Sequence, residues 1–316
     1  MKAKLVHSGE EPVFIVGSPR SGTTVLGDVL DLHPEVKHWF EPYFVWDRDF
    51  RLNQDDVRAL RDASPPVVNR IRSRFAAFRR KSGCRFVLDK APRNSLRIPF
   101  LRQVFPNARF IHIFRDGRDC TLSIHREWLK RTNHVNAPIA GNEKNKFQQW
   151  ALFLKWLNLQ PYMMDRFRAL WFETHGHMLN SQMWLSRLRW NGAPGWGPRF
   201  SGWATAFEKM SLLQFNALQW HACVSSILDH WPEIPEKRKH SVRYEDFVRN
   251  PLETFKTILN FMELEYDPSV ERNFLEMKQD NFNKWRTAFN QSQIEEIRPI
   301  VTPGLVRLGY ASDSKW

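Results

Sequence analysis

The stretch from Val13 to Thr24 constrains the fold of this chain more than any other. Val13-Phe14-Ile15-Val16 is a continuous apolar run bounded by Pro12 and Gly17, the pattern of a strand buried on both faces. It enters the loop Gly17-Ser18-Pro19-Arg20-Ser21-Gly22-Thr23-Thr24. Val25, Leu26, Val29 and Leu30 then follow at helical spacing within Thr23–Leu32, until His33-Pro34 stops the helix. A strand that runs through a glycine-flanked loop into a helix N-terminus turns backbone N–H groups toward one point. That arrangement is an anion cradle.

The rest of the chain repeats the strand–helix rhythm. Polar helices are predicted over Asp55–Asp62 and Val67–Lys81, separated by Pro65-Pro66. Phe86-Val87-Leu88 reads as a second strand, followed by a helix over Leu96–Phe105. Arg109–Phe114 reads as a third strand, leading into a helix over Asp119–Lys130. Later come a helix at Phe207–Trp231, a strand at His240–Arg243 and a helix from Pro251 to Phe261. Strands alternating with helices predict an α/β fold, with a P-loop-like parallel sheet flanked by helices. The interval 131–206 breaks the rhythm. It holds seven of the 14 Trp and the Gly/Pro-rich string Asn191–Arg199. It is read as a Trp-rich helical cap inserted in a single domain of residues 1–316, or as a subdomain whose Trp residues fill its own core.

Charge narrows the partners. Lys and Arg outnumber Asp and Glu by 47 to 34, a formal charge of +13, which favours nucleotides, nucleic acid, acidic glycans or a membrane surface. Cys84, Cys120 and Cys223 show no CxxC spacing, which argues against a disulfide framework or a zinc site and for a reducing compartment. The first residues lack the apolar run of a signal peptide, and no stretch reaches the roughly 18 apolar residues of a spanning helix. The expectation is a soluble, cytoplasmic protein.

The loop has glycines five apart, as in a P-loop. A nucleoside triphosphatase needs Lys directly after the second glycine. Here that place is Thr23, and the basic residue is Arg20 inside the loop. A kinase of a small hydroxylated substrate is therefore the weaker reading, and Asp89 is discounted as a Walker-type acidic residue. Ser18-Pro19-Arg20-Ser21-Gly22-Thr23-Thr24 instead resembles the 5′-phosphosulfate loop of sulfotransferases that use 3′-phosphoadenosine 5′-phosphosulfate (PAPS), in its bacterial and carbohydrate-type branch. Arg115-Asp116-Gly117-Arg118, with Ser123 eight residues after Arg115, resembles that family's 3′-phosphate signature. An Arg at a strand's carboxyl end and a Ser a turn into the next helix can recognise a phosphate that ATP lacks. Ser241–Phe247, Pro303–Tyr310 and Asn283-Lys284-Trp285-Arg286 resemble further family segments, the last being the one that closes over the nucleotide. The resemblance spans about Val13–His125 and Leu213–Tyr310 and leaves out the Trp-rich interval.

Sulfuryl transfer needs a base for the acceptor proton and positive charge on the leaving phosphate. A helix over Thr23–Leu32 carries the chain about 15 Å from the loop. Residues Glu35–Phe40, extended at about 3.3 Å each, bring it back, so Glu41 lands beside Arg20. Glu41 is the candidate base, as the family resemblance also implies, with His38 the substitute. Lys90, in Asp89-Lys90-Ala91-Pro92, resembles a family element and is assigned to charge stabilisation with Arg20. The chemistry implied by the resemblance uses PAPS, released as PAP, and needs no metal. The acceptor is expected to be a carbohydrate, glycolipid or small alcohol, with peripheral membrane contact allowed and nucleic acid not expected. A non-catalytic polyanion-binding module is the remaining alternative; it would not prefer PAP over ADP.

Overall fold

The computed structural model of the chain describes residues 11–50, 55–136, 189–190, 193–194, 196–268, 270–271 and 282–316. By its contacts the chain forms two units: residues 1–126 with 197–316, and residues 127–196. In the first unit, β1 (Val13–Val16), β2 (Val36–Phe40), β3 (Phe86–Lys90), β4 (Arg109–Phe114) and a late strand, Lys239–Arg243, form one sheet. In the second, β5 (Arg189–Trp190) pairs antiparallel with β6 (Ala193–Pro194), so the late strand is β7. The sheet order is β2-β3-β1-β4-β7 and every pairing is parallel. This is the helix-flanked parallel sheet that the strand–helix rhythm predicts. β1 lies between β3 and β4, so the order reverses there and the chain leaves a crevice at the carboxyl end of β1.

Eleven helices among the described residues complete the order. They are α1 (Thr23–Leu30), α2 (Tyr43–Trp46), α3 (Pro65–Ser82), α4 (Ile98–Val104), α5 (Gly117–Asn136), α6 (Trp203–Lys209), α7 (Leu212–His230), α8 (Tyr244–Arg249), α9 (Pro251–Met262), α10 (Trp285–Ala288) and α11 (Gln291–Arg307). The two faces of the sheet are built differently. Ile15, Leu88, Ile111 and Ile113 join Leu26 and Leu30 of α1 and Phe255, Ile258 and Leu259 of α9 in a mainly aliphatic core. On the opposite face Phe14 meets Phe110, Trp46, Phe105 and Phe75 at ring separations of 5.4 to 6.4 Å. Part of the chain's aromatic content, 14% of its residues, is thus core filling, at the separations aromatic pairs favour. Trp220 of α7 packs where a Cβ on Gly117 would sit, at 2.5 Å, and where one on Gly304 would sit, at 2.7 Å. The glycine of Arg115-Asp116-Gly117-Arg118 therefore lets α5 seat on α7.

Several predicted elements change on folding. The helix expected at Asp55–Asp62 is reduced to a 3₁₀ turn at Leu60–Asp62, because Asp56 and Arg58 are buried and Asp56 bonds the backbone N–H of Arg199 at 2.8 Å. The helix expected at Leu96–Phe105 becomes a 3₁₀ turn, Pro92–Leu96, followed by α4 with Pro99 in its first turn. The helix expected at Phe207–Trp231 is split into α6 and α7, since Ser211 caps α7 through the backbone N–H of Gln214, whose side chain bonds back. α11 was not foreseen: Pro299 and Pro303 stand inside it. The helical cap expected over 131–206 falls mostly outside the described residues. Among the described residues no helix is long and apolar enough to cross a membrane.

Candidate active site

The loop after β1 is braced from several sides. The backbone N–H of Gly17 donates to Ser95 Oγ (3.1 Å), and that hydroxyl donates back to the Gly17 carbonyl (2.8 Å). Ser21 Oγ donates to the carbonyl of Ser18 at 2.8 Å, while Ser18 Oγ lies 3.8 Å from Cys120 Sγ. Pro19 and Thr23 are buried, and Thr24 is exposed. Gly22 takes a φ of 97°, and a Cβ there would meet the Tyr244 ring at 2.5 Å. Only glycine combines that left-handed backbone with so close a neighbour. The first N–H groups of α1 then have no partner within the helix, which leaves them for an anion.

The second predicted anchor meets this loop. Arg115, one residue beyond β4, is buried, and its guanidinium donates to the carbonyl of Arg20 at 3.2 Å. It stacks over the Tyr244 ring at 4.5 Å and lies 3.8 Å from Asp119. Arg20 is exposed, with a φ of 68°, and its Nε donates to Ser123 Oγ at 2.9 Å. Arg20, Arg115 and Ser123 therefore form one connected group. Trp285 is buried and its backbone N–H donates to Asp119 at 3.0 Å. Arg286 is exposed, with its guanidinium 4.8 Å from the Trp285 ring centroid.

Glu41 and Lys90 are brought together. β2 and β3 end in register, Phe40 beside Lys90, and the N–H of Glu41 extends the ladder to the Lys90 carbonyl at 3.0 Å. Glu41 then leaves the strand with a φ of 46°, and its carboxylate accepts from Lys90 Nζ at 2.8 Å. Lys90 is 1% exposed; burial pushes its amine below the usual lysine range, against the opposing pull of Glu41. The ammonium also lies 3.8 Å from the Phe40 ring centroid. His38 sits two residues earlier and takes a different partner. Its ring fits against Gly27 of α1 and its Nδ1 lies 3.1 Å from Asp28. Asp89 points to the face opposite Lys90, where it accepts from Trp46 Nε1 (2.7 Å) and Asn94 Nδ2 (3.1 Å). Burial pushes its carboxyl up to about 7.

Sequence reasoning overlooked Ser95 and Asp119. Ser95 had no signal, because its partner Gly17 is 78 residues away. Asp119 stands inside the Arg115–Ser123 signature, but its role rests on backbone groups of 283 and 285. Among the described residues no group of three or more His, Cys, Asp or Glu could hold a metal ion.

This geometry can be set beside known proteins. A putative protein-tyrosine sulfotransferase of Caenorhabditis briggsae is 26% identical over 162 residues, 48% of this chain and 52% of that protein. Protein-tyrosine sulfotransferase A of Caenorhabditis elegans is 29% identical over 169 residues, 49% of this chain and 40% of that one. The match thus spans about half or less of these relatives' own length. Among solved structures, the sulfotransferase domain from the curacin biosynthetic pathway aligns over 96% of this chain and 99% of its own, with a TM-score of 0.54 and 14% identity; that likeness speaks to the fold. The model of the sulfotransferase family matches residues 12–171 and 199–268, which takes in the loop, Glu41, Lys90, Arg115 and Ser123. With well over half of its residues covered by that match, the chain belongs to the sulfotransferase family.

Proposed function

We propose that this protein transfers a sulfuryl group from PAPS to an acceptor hydroxyl by in-line displacement. The observation that carries the reading is the connected group Arg20–Arg115–Ser123, which joins the loop after β1 to the end of β4. A nucleotide with anionic groups at both its 5′ and 3′ positions fits two such anchors. The fit extends to the loop itself: Gly22 lets its left-handed turn pass close against the Tyr244 ring, and Thr23 replaces the lysine a triphosphate requires. The donor supplies the electrophilic sulfur and a phosphate leaving group.

In this reading Ser18, Pro19, Ser21, Gly22, Thr23 and Thr24 shape the cradle for the 5′ end; Pro19 has no N–H to give, and the N–H groups of Gly22, Thr23 and Thr24 share its charge. Arg20 neutralises the leaving phosphate. Arg115 and Ser123 hold the 3′-phosphate, and Trp285 and Arg286 border the nucleotide. Glu41 takes the acceptor's proton on its carboxylate. Lys90, fixed beside it, balances charge that builds on the sulfuryl oxygens. A carbohydrate, glycolipid or small alcohol is the acceptor favoured by the Trp-rich interval. A phenolic hydroxyl is the second reading, favoured by relatives named for tyrosine sulfation. Incubation with PAPS and a panel of saccharides, glycolipid headgroups and tyrosyl peptides separates the two.

The donor site is tested by calorimetric titration of PAP, with ADP and ATP–Mg²⁺ as controls, on the wild type and Arg115→Ala. PAP binding that exceeds ADP binding by about tenfold or more, and that the variant loses, is the expected result. Equal binding of ATP–Mg²⁺, indifferent to Arg115, would overturn the reading and favour a kinase.

A further inference from the structure

Arg118 and Asp119, neighbours in the first turn of α5, are both buried, yet neither belongs to the donor contacts assigned above. The Asp119 carboxylate accepts two backbone N–H groups from a distant segment, Asn283 at 2.6 Å and Trp285 at 3.0 Å. Between them the chain turns sharply, with Asn283 at a φ of 60°. The Arg118 guanidinium grips both carboxylate oxygens of Asp116, at 2.9 and 2.7 Å. It also lies over the rings of Trp285 (4.3 Å) and Trp316 (4.8 Å), which meet edge to face at 5.7 Å. Two consecutive side chains of α5 therefore clasp the start of α10, one through its backbone and one through its ring. The same helix carries Ser123 a single turn beyond Asp119, and Arg115 lies 3.8 Å from that carboxylate.

A carboxylate here is unexpected on electrostatic grounds. Placed beside a site for a phosphate, it repels the ligand, and burial raises its own cost of ionisation. An acid in a helix's first turn is helpful to any helix, but that general effect needs neither burial nor two N–H partners 164 and 166 residues away. We propose that Asp119 and Arg118 are positioning residues of the donor site. They hold the Trp285–Arg286 segment in register with Arg115 and Ser123, so that recognition of the 3′-phosphate depends on them although neither touches it.

The proposal rests on the donor reading above, and the experiment separates the two. PAP and ADP are titrated calorimetrically against the wild type, Asp119→Asn and Arg118→Lys, with thermal unfolding recorded for each. Asp119→Asn keeps the shape but loses one acceptor oxygen and the charge facing Arg115. It is expected to weaken PAP roughly tenfold or more while ADP stays within about twofold. Arg118→Lys keeps the charge but loses the planar stack, and a PAP-selective loss of about threefold is expected. Equal loss of PAP and ADP, or wild-type PAP binding in both variants, would overturn the positioning role. A wild type that does not prefer PAP would instead sink the donor reading. Should Asp119→Asn fail to fold, Arg118→Lys decides the matter by the same PAP-to-ADP ratio.

Discussion

Two groups of charged side chains lie near the carboxyl end of this sheet, and they are built on opposite plans. In the first, Asp47 accepts from Arg93 and Arg97, both at 2.9 Å. Asp56 faces Arg93 and Arg199, both at 3.5 Å, and Arg97 at 3.8 Å. Asp56 and Arg97 are 0% exposed. Burial alone would push the Asp56 carboxyl up, but Arg93, Arg199 and Arg97 together hold it well below the usual range. In the second group, Arg20 is exposed and bonds a hydroxyl, Arg115 bonds a carbonyl, and Lys90 bonds Glu41, which is only partly buried. The first group is a lock, in which guanidinium and carboxylate answer each other. The second keeps positive charge beside a loop of N–H groups, the condition for receiving an anion. Arginine content alone distinguishes neither; what differs is that the guanidiniums of the first group share two buried aspartates, while Arg20 stays exposed and bonds a hydroxyl.

The largest expected effect breaks the second group. Glu41→Gln is nearly isosteric, so sulfuryl transfer should fall by about 10²–10⁴-fold in kcat while the thermal midpoint stays close to wild type; activity within tenfold of wild type would remove Glu41 as the base. Next comes the first group, with the opposite signature. Asp56→Ala takes from Arg199 its facing carboxylate and leaves Arg93 and Arg97 to Asp47, and should cost about 3–5 kcal/mol in urea unfolding, with PAP affinity of the remaining folded protein little changed. A loss of PAP binding without a loss of stability would merge the two groups into one.

The smallest effect sharpens the boundary at Asp89, which is buried on the far side of the strand from its neighbour Lys90. Its folded carboxyl titrates at about 7, above the value of 3.8 in an unfolded chain. Between about pH 4 and 7 the folded state therefore holds a proton that the unfolded state has lost, so this group's contribution to stability declines as pH rises and levels off above 7. Asp89→Asn should remove that decline. The difference in slope between wild type and variant is read from unfolding at several pH values. An unchanged slope would show that Asp89 stays ionised in the fold.

Much of this was legible from local pattern. The loop residues Ser18–Thr24 follow a buried apolar run and precede a helical one, so strand, cradle and helix could be read from spacing alone. The return of Glu35–Phe40 was foreseen as extended chain, and it forms β2. Other elements deceived because tertiary contacts overrode periodicity. The polar string at Asp55–Asp62 looked helical, but burial of Asp56 among three arginines holds it in a different path. α11, which holds Pro299 and Pro303, is a helix that local pattern did not supply and that packing against α7 completes.

The sequence by itself determined the alternating class of the fold, the glycine-flanked loop between strand and helix and the spacing of Arg115 to Ser123, since each is written within a few consecutive residues. Only the tertiary structure decided which distant side chains meet. Glu41 and His38 are three residues apart, and the sequence ranks Glu41 first without showing what either side chain meets. The register of β2 on β3 sets Phe40 beside Lys90, and the chain's left-handed turn at Glu41 delivers its carboxylate to that ammonium, while His38 goes to α1 and Asp28. Ser95 beneath Gly17 and Asp119 beneath Trp285 are contacts of the same kind. Periodicity encodes which face a residue turns to; strand order and register decide what waits there.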